Sequence, residues 1–261
     1  MRMVVCMKAV PSTTEVRMDP KTNTIVRDGR QSVVNPFDTA ALEVALELKE
    51  RLGGTVRALS MGIPDTARLL RDAVARGADS ATLLSDRAFA GADTLATSYA
   101  LSLALGEGDE RPDLVLCGKM AVDGDTAQIG PELAGIMGVP CVAGVSEVID
   151  ASEGSLVVRR DTDEGAEVVE VPLPAVITVT KDIATLRMPS IAGVRAGEAA
   201  EVEILDAVAA GADRARCGLD GSPTQVVRSF VPERSNEAVE LEGSVCEQAA
   251  GLLRVIEEVA R

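Results

Sequence analysis

The first half of the chain alternates between short runs of hydrophobic residues and longer amphipathic segments. The short runs have the length and the continuous apolar character of buried strands, and they lie at 4–10, 55–60, 81–84 and 113–117. In the segments between them, apolar residues recur at spacings of three and four, which predicts helices at 36–52, 65–76, 94–105 and 127–137. This order of strand and helix predicts a mainly parallel, doubly wound α/β sheet.

The helix at 36–52 has the clearest start signal. Asn35 precedes Pro36 and Asp38 follows in the first turn, which is the pattern of an N-cap, a proline at the first helical position and an acid near the helix N-terminus. Capping alone is sufficient to account for these residues at this stage.

From residue 142 the pattern changes to shorter apolar runs broken by glycine and proline. The runs at 156–160, 166–171 and 175–179 are expected to be antiparallel additions to the sheet. Residues 181–215 are expected to form an exposed loop and linker. The tail offers an extended run at 225–231 and a helix at 244–260, too little to fold alone. We therefore expect an α/β domain at 1–215, including a loop at 181–200, and an extension at 216–261 that packs on a partner chain.

The composition narrows the function classes. The chain has 261 residues, a net charge of −15, only 2% aromatic residues and no histidine. A negative surface repels phosphate polymers and anionic membranes, and few aromatic side chains are available to stack bases, so nucleic-acid binding and membrane association are not expected. The absence of histidine excludes Ser-His-Asp triads and the common zinc sites.

The five cysteines are scattered without a CxxC spacing, as is typical of cytosolic thiols. The apolar start of the chain is too short for a signal peptide, and no apolar run reaches membrane-spanning length. A cytoplasmic protein is expected.

In doubly wound sheets, ligands bind beyond the carboxyl ends of the strands, which directs attention to the residues after 10, 60 and 117. The last of these strand ends leads into a polar loop in which Gly118, Gly124 and Gly130 permit close approach of a ligand to the backbone. Thr126, Gln128 and the amides at the start of the next helix could hold phosphate oxygens. Neither GxGxxG nor GxxxxGK[ST] occurs, so a standard dinucleotide or P-loop site is not supported.

The same residues also have simpler interpretations. Asp125 or Thr126 could be the ordinary N-cap of the helix at 127–137. Lys8 could face a phosphate or simply be solvated at the end of its strand. The carboxylates of Asp123 and Asp125, without a third ligand, do not indicate a metal site.

Five segments together resemble the beta subunit of electron-transfer flavoproteins, in order and over nearly the whole chain. They read VVCMKAVP from Val4, NPFD from Asn35, ALSMG from Ala58, LCGKMAVDGDTAQIGPELA from Leu116 and LPAVITVTKDIATLRMPSIAGVRA from Leu173. The resemblance implies an adenine-nucleotide-hydrolase-like, Rossmann-related fold and a heterodimer with an FAD-carrying alpha subunit.

The family's nucleotide-binding segments map onto three strand ends of this chain. The positions implied as cofactor-binding are Cys6, Lys8, Asn35, Pro36, Phe37, Asp38, Met61, Met120, Ala121, Val122, Asp123, Gly124, Asp125, Thr126, Ala127, Gln128, Ile129, Gly130 and Pro131. Asn35 and Asp38 would then serve both the helix start and the ligand.

The family divides by what this pocket holds. Simple carriers hold AMP, whereas subunits that bifurcate electrons hold a second FAD and take electrons from NADH. The loop DGDTAQIGPE, with its small Gly124 and Thr126, and the tail segment GSPTQVVRSFVPE from Gly221 resemble the FAD-holding group. This implies electron delivery to ferredoxin or flavodoxin and to an acyl-CoA dehydrogenase-type partner, with NADH oxidation only in the alpha–beta complex.

Residues 187–196 resemble the family's recognition loop, which inserts an apolar residue into the partner dehydrogenase. Arg187 and Ile191 are the positions implied for docking, Ile191 as the apolar anchor. Residues 184–186 and 198–200 depart from the usual sequence of the family in this region. The identity of the partner therefore stays open.

Two other interpretations remain open at this stage. One is a simple carrier with AMP in the beta pocket. The other is an ATP-binding α/β enzyme or stress-type nucleotide-binding module that is stable without a partner.

Overall fold

The computed structural model describes residues 1–12, 32–106, 108–227 and 240–259. Two compact units are present, Met1–Val226 and Val227–Arg261, so the chain divides later than the boundary after residue 215 expected from the sequence. Most of the extended run expected at 225–231 lies outside the described residues.

The first unit contains the strands and most of the helices. The strands are β1 (Arg2–Cys6), β2 (Ala9–Pro11), β3 (Ser32–Val34), β4 (Thr55–Met61), β5 (Ser80–Leu84), β6 (Leu114–Gly118), β7 (Cys141–Ala151), β8 (Ser155–Thr162), β9 (Gly165–Pro172), β10 (Ala175–Val179) and β11 (Glu203–Leu205). The helices are α1 (Pro36–Leu52), α2 (Ala67–Arg76), α3 (Thr94–Leu103), α4 (Ile129–Met137) and α5 (Ile191–Ala199).

The main sheet confirms the expected α/β fold. Its strand order among the described residues is β11-β5-β4-β1-β6-β10-β7-β8-β9, parallel from β11 to β7 and antiparallel at the β7-β8-β9 end. The chain moves outward from β1 to β4 and β5, then returns to place β6 on the other side of β1. This reversal opens a crevice at the carboxyl ends of β1 and β6, where such folds bind ligands.

Helices cover both faces of the sheet, so successive residues of a central strand enter different cores. Val5 lies fully buried with Leu42 in the core beneath α1 and α2. Its neighbour Val4 lies with Tyr99 and Leu133 in the core beneath α3 and α4. Continuous apolar runs in the sequence were therefore a correct indication of strands buried on both sides.

The strand expected at 4–10 is confirmed at 4–6, within β1, but it is not one continuous strand, because the chain leaves the main sheet before Lys8. The Lys8 N–H donates to the Asp38 carboxylate at 2.7 Å, and the Lys8 carbonyl accepts from the Asn35 N–H at 2.9 Å. Beyond this point β2 pairs with β3 in a separate antiparallel ribbon. These contacts with Asn35 and Asp38 turn the chain away from the main sheet. The hydrophobic periodicity of the sequence does not reveal them, because the residues involved are distant in sequence.

The expectation of an antiparallel strand at 175–179 is also wrong. β10 is buried at all five positions and lies parallel between β6 and β7. Its unbroken apolar sequence is typical of a parallel interior strand, and the flanking prolines obscured that signal.

The segment at 181–215, expected to be loop, contains α5 and β11. Gly193 and Gly197 weaken the helix signal, but they allow α5 to lie against the backbone of α2. A Cβ atom at Gly193 would lie 2.2 Å from the carbonyl oxygen of Ala75, and one at Gly197 would lie 2.6 Å from that of Arg71. The glycines therefore permit helix packing instead of marking a loop.

The second unit contains α6 (Val245–Val259), so the helix expected at 244–260 is confirmed. Ser244 and Glu247 form a capping contact at its start, since the N–H and hydroxyl of Ser244 both donate to the Glu247 carboxylate at 2.7 Å. Within the described part of the chain, no helix is long and apolar enough to cross a membrane.

Candidate functional site

Asp38 joins the two strands that border the crevice. From the first turn of α1, its carboxylate accepts hydrogen bonds from the Lys8 N–H at 2.7 Å and the Gly118 N–H at 3.0 Å. These donors lie just beyond β1 and at the last residue of β6. One buried side chain thus holds together the ends of β1 and β6. The end of β6 was expected from the sequence, whereas the end of β1 was expected four residues later, after residue 10.

The surroundings of Asp38 are tightly packed. A Cβ atom at residue 118 would lie 2.4 Å from Asp38 Oδ1 and 2.5 Å from the Phe37 Cβ, so glycine is required there. Burial raises the pKa of Asp38 to about 7, against the opposing effect of its hydrogen bonds with Lys8, Asn35 and Gly118. Because each oxygen already accepts a backbone N–H, Asp38 acts as a positioning group.

Asn35 is the N-cap residue of α1 by position, but its side chain does not cap the helix, which corrects the expected capping role. The amide Nδ2 donates to the Met120 carbonyl at 2.9 Å, and Oδ1 accepts from the Val122 N–H at 3.2 Å. Asn35 is 1% exposed. It therefore fixes the start of the loop that follows β6.

Lys8 and Asp123 fix the same loop from its other side. Lys8 Nζ lies 2.5 Å from Asp123 Oδ1, and the Lys8 side chain is 44% exposed. An exposed ion pair of this kind contributes little to stability. The position of the pair still matters, because it places the ammonium group of Lys8 beside the loop.

The middle of the loop is exposed and has an unusual backbone. Asp125 and Ala127 adopt positive φ angles of 51° and 54° without being glycine. Such conformations are costly and concentrate at functional sites. Among the described hydrogen bonds, the N–H groups of Thr126, Ala127 and Gln128 have no protein acceptor. Neighbouring N–H groups in a backbone that alternates between left- and right-handed conformations can form an anion-binding concavity.

The helix after the loop begins later than expected. α4 starts at Ile129 with Gln128 as its N-cap residue, so neither Asp125 nor Thr126 is the N-cap. Ala127, expected to be the first helical residue, is kept out of the helix by its positive φ. The simpler interpretation of this segment as an ordinarily capped helix start is wrong.

The implied cofactor-binding residues differ in how accessible they are. Residues 124–128, Val122, Pro36 and Pro131 are exposed, whereas Lys8, Phe37, Met61, Met120, Ala121 and Ile129 are half-buried and Cys6, Asn35, Asp38 and Gly130 are buried. The loop could therefore touch a ligand with side chains, while Asn35 and Asp38 support it from below.

The thiol of Cys6 is part of the protein interior. Cys6 packs in the core beneath α3 and α4 together with Cys117 of the neighbouring strand. A hydrogen bond with Cys6, together with burial, raises the pKa of the Cys117 thiol. Buried thiols of this kind are inert, so a contact of Cys6 with a ligand would involve its backbone.

The strand end at Met61 carries an orphan polar group. The hydroxyl of the preceding residue, Ser60, is buried and has no hydrogen-bond partner among the described residues. An unpaired buried hydroxyl costs free energy that a ligand or water contact would relieve. A buried hydroxyl without a hydrogen-bond partner cannot be recognised from the sequence.

The sequence predicted the start of α3 at residue 94 but not the contacts that this helix start makes with the loop. Thr94 Oγ1 lies 3.0 Å from Glu132 Oε1 and 3.3 Å from Gln128 Oε1, and Ser98 Oγ donates to Glu132 Oε2 at 2.8 Å. These contacts connect α3 to the end of the loop and the first turn of α4. Threonine and serine on a helix that follows another strand gave no distinctive signal.

The side chain of Arg187 is held by two glutamates of the same chain. Its guanidinium makes hydrogen bonds with both carboxylate oxygens of Glu43, the shortest at 2.8 Å, and also pairs with Glu50. Hydrogen bonds with these carboxylates raise the pKa of Arg187. Glu43 is buried, with 6% of its surface exposed. Arg187 anchors the segment before α5, and a direct contact of Arg187 with another protein stays a prediction.

Ile191 is the first residue of α5 and is 81% exposed. Met188, at 84%, and Val194, at 42%, are exposed on the same segment. Since α5 is packed on α2, these apolar side chains are displayed on a fixed support. The docking role of Ile191 stays a prediction.

The arrangement suits binding more than acid–base catalysis. The loop offers backbone N–H groups and the ammonium group of Lys8 to an anion, and a Cβ atom at Gly124 would have no other atom within 4 Å, so the space above the loop is open. Each oxygen of the Asp38 carboxylate accepts a backbone N–H, so this side chain supports the loop instead of facing a ligand. The donor set therefore fits a phosphate-bearing ligand lying across the ends of β1 and β6.

Comparison with known proteins is consistent with this geometry. The family model "Electron transfer flavoprotein domain" matches residues 22–215. The electron transfer flavoprotein subunit beta of Thermoanaerobacterium thermosaccharolyticum is 42% identical over 254 residues, covering 97% of this chain and 96% of that protein.

Two relatives carry other names. The caffeyl-CoA reductase-Etf complex subunit CarD of Acetobacterium woodii is 41% identical over 254 residues, covering 97% of this chain and 96% of its own. The protein FixA of Azorhizobium caulinodans is 41% identical over 263 residues, covering 98% and 94%. Identity at this level over nearly full length establishes that the chain belongs to the beta-subunit family of electron-transfer flavoproteins.

Proposed function

We propose that this chain pairs with an electron-transfer flavoprotein alpha subunit and holds FAD in the crevice beyond β1 and β6. The observation that carries the proposal is the loop after β6. Asn35, Asp38 and Lys8 fix its start, while its middle presents unpaired N–H groups in a costly conformation. Strain retained in an exposed loop is accounted for if a ligand uses it.

Phosphate recognition is assigned to the backbone. Asp123, Asp125 and Glu132 bring negative charge to this edge of the sheet, and Lys8 is already paired with Asp123. The amides of residues 126–128 and the N-terminus of α4 would therefore be the principal donors to the diphosphate. Lys8 would orient the diphosphate and balance part of its charge.

Small residues favour FAD over AMP. A side chain at Gly124 would meet no protein atom within 4 Å, so the glycine is not required by internal packing and leaves room for a large ligand. The chain also resembles a subunit of a complex named for caffeyl-CoA reductase and Etf. AMP as a structural ligand is the alternative that occupies the same donors.

Bound FAD would supply the redox chemistry, taking electrons from NADH and passing them to ferredoxin or flavodoxin and, through the alpha subunit, to an acyl-CoA dehydrogenase-type flavoprotein. The residues of this chain would bind the FAD and orient it. Ile191 and Val194, on a helix that packs on α2, and Met188, in the segment before that helix, would form the apolar contact with the dehydrogenase-type partner.

An anaerobic titration of the purified alpha–beta complex with NADH tests the proposal. Reduction of flavin by NADH, seen as loss of flavin absorbance, is expected. Flavin that stays oxidised with NADH but is reduced by an acyl-CoA dehydrogenase would instead support a simple carrier with AMP in the beta site.

Expression of the chain without an alpha subunit separates this proposal from the class of independent ATP-binding modules. We expect poor yield or a chain that binds ATP no better than other nucleotides. A stable monomer that binds and hydrolyses ATP would contradict the proposal.

A further inference from the structure

Lys119 is the first residue beyond β6, and hydrogen bonds fix the backbone around it. Its own N–H donates to the Val179 carbonyl at 2.8 Å. The N–H of the residue before it donates to Asp38 at 3.0 Å, and the carbonyl of the residue after it accepts from Asn35 at 2.9 Å. The base of the Lys119 side chain is therefore held at the border of the crevice.

The ammonium group of Lys119 is available for an anion. Of the four lysines that the structure describes, Lys8 and Lys49 form ion pairs with aspartates, and Lys181 is exposed. Lys119 is half-buried, and its ammonium group has no ion-pair or hydrogen-bond partner among the described residues. Partial burial of a charge costs free energy that an anionic ligand would recover.

The alternation of side chains along β6 determines the face on which Lys119 lies. Cys117 packs in the core beneath α3 and α4. Gly118 faces the opposite side, because a Cβ atom there would lie 2.4 Å from Asp38 of α1. The hydrogen bond from Lys119 to Val179 continues the pairing of β6 with β10, so the alternation continues as well. Lys119 therefore lies on the face of the sheet that α4 covers.

The first turn of α4 rests on this face, close to the end of β6. A Cβ atom at Gly130 would lie 2.2 Å from Thr178 Cγ2 and 3.9 Å from Cys117 Cβ. Thr178 and Cys117 are paired across β10 and β6 near their carboxyl ends. The unpaired N–H groups of 126–128 directly precede this turn. Lys119 thus lies on the same side of the sheet as the backbone donors of the loop.

The neighbouring carboxylates are already engaged by other groups. Asp123 is paired with Lys8, and each oxygen of Asp38 accepts a backbone N–H. The two oxygens of Glu132 lie 2.8 Å and 3.0 Å from hydroxyl groups of α3. Lys8 therefore shares its charge with an aspartate, whereas the charge of Lys119 is free to act on a ligand.

We propose that Lys119 is the principal cation for the phosphate group of the nucleotide in the crevice and acts together with the N–H groups at the start of α4. The inference rests on the proposed function, because it takes the crevice as the nucleotide site. An ammonium group contributes a charge-assisted hydrogen bond to phosphate, whereas the amides contribute neutral ones. Lys119 should therefore distinguish a nucleotide from the corresponding nucleoside.

The test uses the full-length alpha–beta complex after removal of its beta-site ligand, with AMP and adenosine as titrated probes. These two molecules differ only in the phosphate group. Lys119→Met removes the charge but keeps the apolar stem, Lys119→Gln is a second neutral variant, and Lys119→Arg retains the charge. Lys181→Met is the matched control, because Lys181 is an exposed lysine two residues beyond β10, the strand next to β6.

Isothermal titration calorimetry measures the affinity for each probe. Lys119→Met and Lys119→Gln are expected to bind AMP about tenfold more weakly, as for the loss of one charge-assisted hydrogen bond, and to bind adenosine as the wild type does. Their AMP affinity should also depend less on salt. Lys119→Arg should retain most of the affinity for AMP, and Lys181→Met should behave as the wild type.

Unchanged AMP affinity in both neutral variants would overturn the inference. Equal weakening of AMP and adenosine would also overturn it, because the substitution would then disturb the site as a whole and not the contact with phosphate. An equal loss in Lys181→Met would show a general effect of net charge and would overturn it too. A wild-type complex that binds neither AMP nor FAD would instead refute the proposed function, so the two failures are distinguishable.

Discussion

Replacing Asp38 with asparagine tests whether a buried, ionisable carboxyl holds the candidate site together. Burial raises the pKa of Asp38 from 3.8 to about 7 in the folded chain. Between these values the folded state binds a proton that the unfolded state does not, so the free energy of unfolding falls as pH rises. At 1.36 kcal/mol per pH unit, this group lowers the stability by about 3 kcal/mol between pH 5 and pH 8.

Asparagine does not titrate, so Asp38→Asn should remove that part of the pH dependence. It also replaces one acceptor oxygen with an NH₂ group facing a backbone N–H, which should cost about 1–3 kcal/mol. The difference in pH dependence between the wild type and Asp38→Asn is therefore more informative than the free energy of unfolding of either protein at one pH.

The assay is urea unfolding of the full-length chain at pH 5 and pH 8, followed by far-ultraviolet circular dichroism. Asp150→Asn is the control, because Asp150 lies on the exposed part of β7 with its side chain 73% exposed. A decrease in stability from pH 5 to pH 8 that is as large in Asp38→Asn as in the wild type would refute the reasoning.

Three further substitutions test other contacts. Gly118→Ala would place a Cβ atom 2.4 Å from Asp38, so we expect a loss of about 1–3 kcal/mol in urea unfolding together with weaker FAD binding; unchanged stability would contradict the packing. Arg187→Gln leaves the buried carboxylate of Glu43 without its cation and should lower the free energy of unfolding in urea by about 2 kcal/mol; unchanged stability would contradict a structural role for the ion pair. Lys8→Gln should change stability by less than about 1 kcal/mol, while FAD affinity should fall and depend less on salt; equal salt dependence would exclude a contact with phosphate.

The strands that are buried on both faces could be predicted well from the sequence. Val4 and Val5 belong to an unbroken apolar run because the two faces of β1 contact two different cores. Prediction failed where the controlling contacts join residues distant in sequence. The chain leaves the sheet at Lys8 because Asp38 takes its N–H, and no local pattern signals that contact.

Glycine residues were the second reason why the prediction from the sequence failed. In α5, Gly193 and Gly197 resemble the composition of a loop, but they occur where the backbones of two helices touch. Helix propensity counts such residues as unfavourable, whereas close packing makes them necessary. The meaning of a glycine therefore depends on what approaches it, which only the structure provides.

The candidate site was predicted in outline from the resemblance of its segments to a known family, while its supporting contacts were not. Asn35 was expected to cap a helix, and its side chain instead binds the loop at Met120 and Val122. Thr94 had no signal in the sequence, because short polar residues at a helix start are common.

A count of bound ligands tests most directly whether the crevice beyond β1 and β6 holds FAD. The purified alpha–beta complex should be denatured, and the FAD and AMP released per heterodimer should be counted by chromatography against standards. Two FAD and no AMP are expected, one FAD from the alpha subunit and one from this chain. One FAD with one AMP would contradict the claim and assign the chain to the simple carriers.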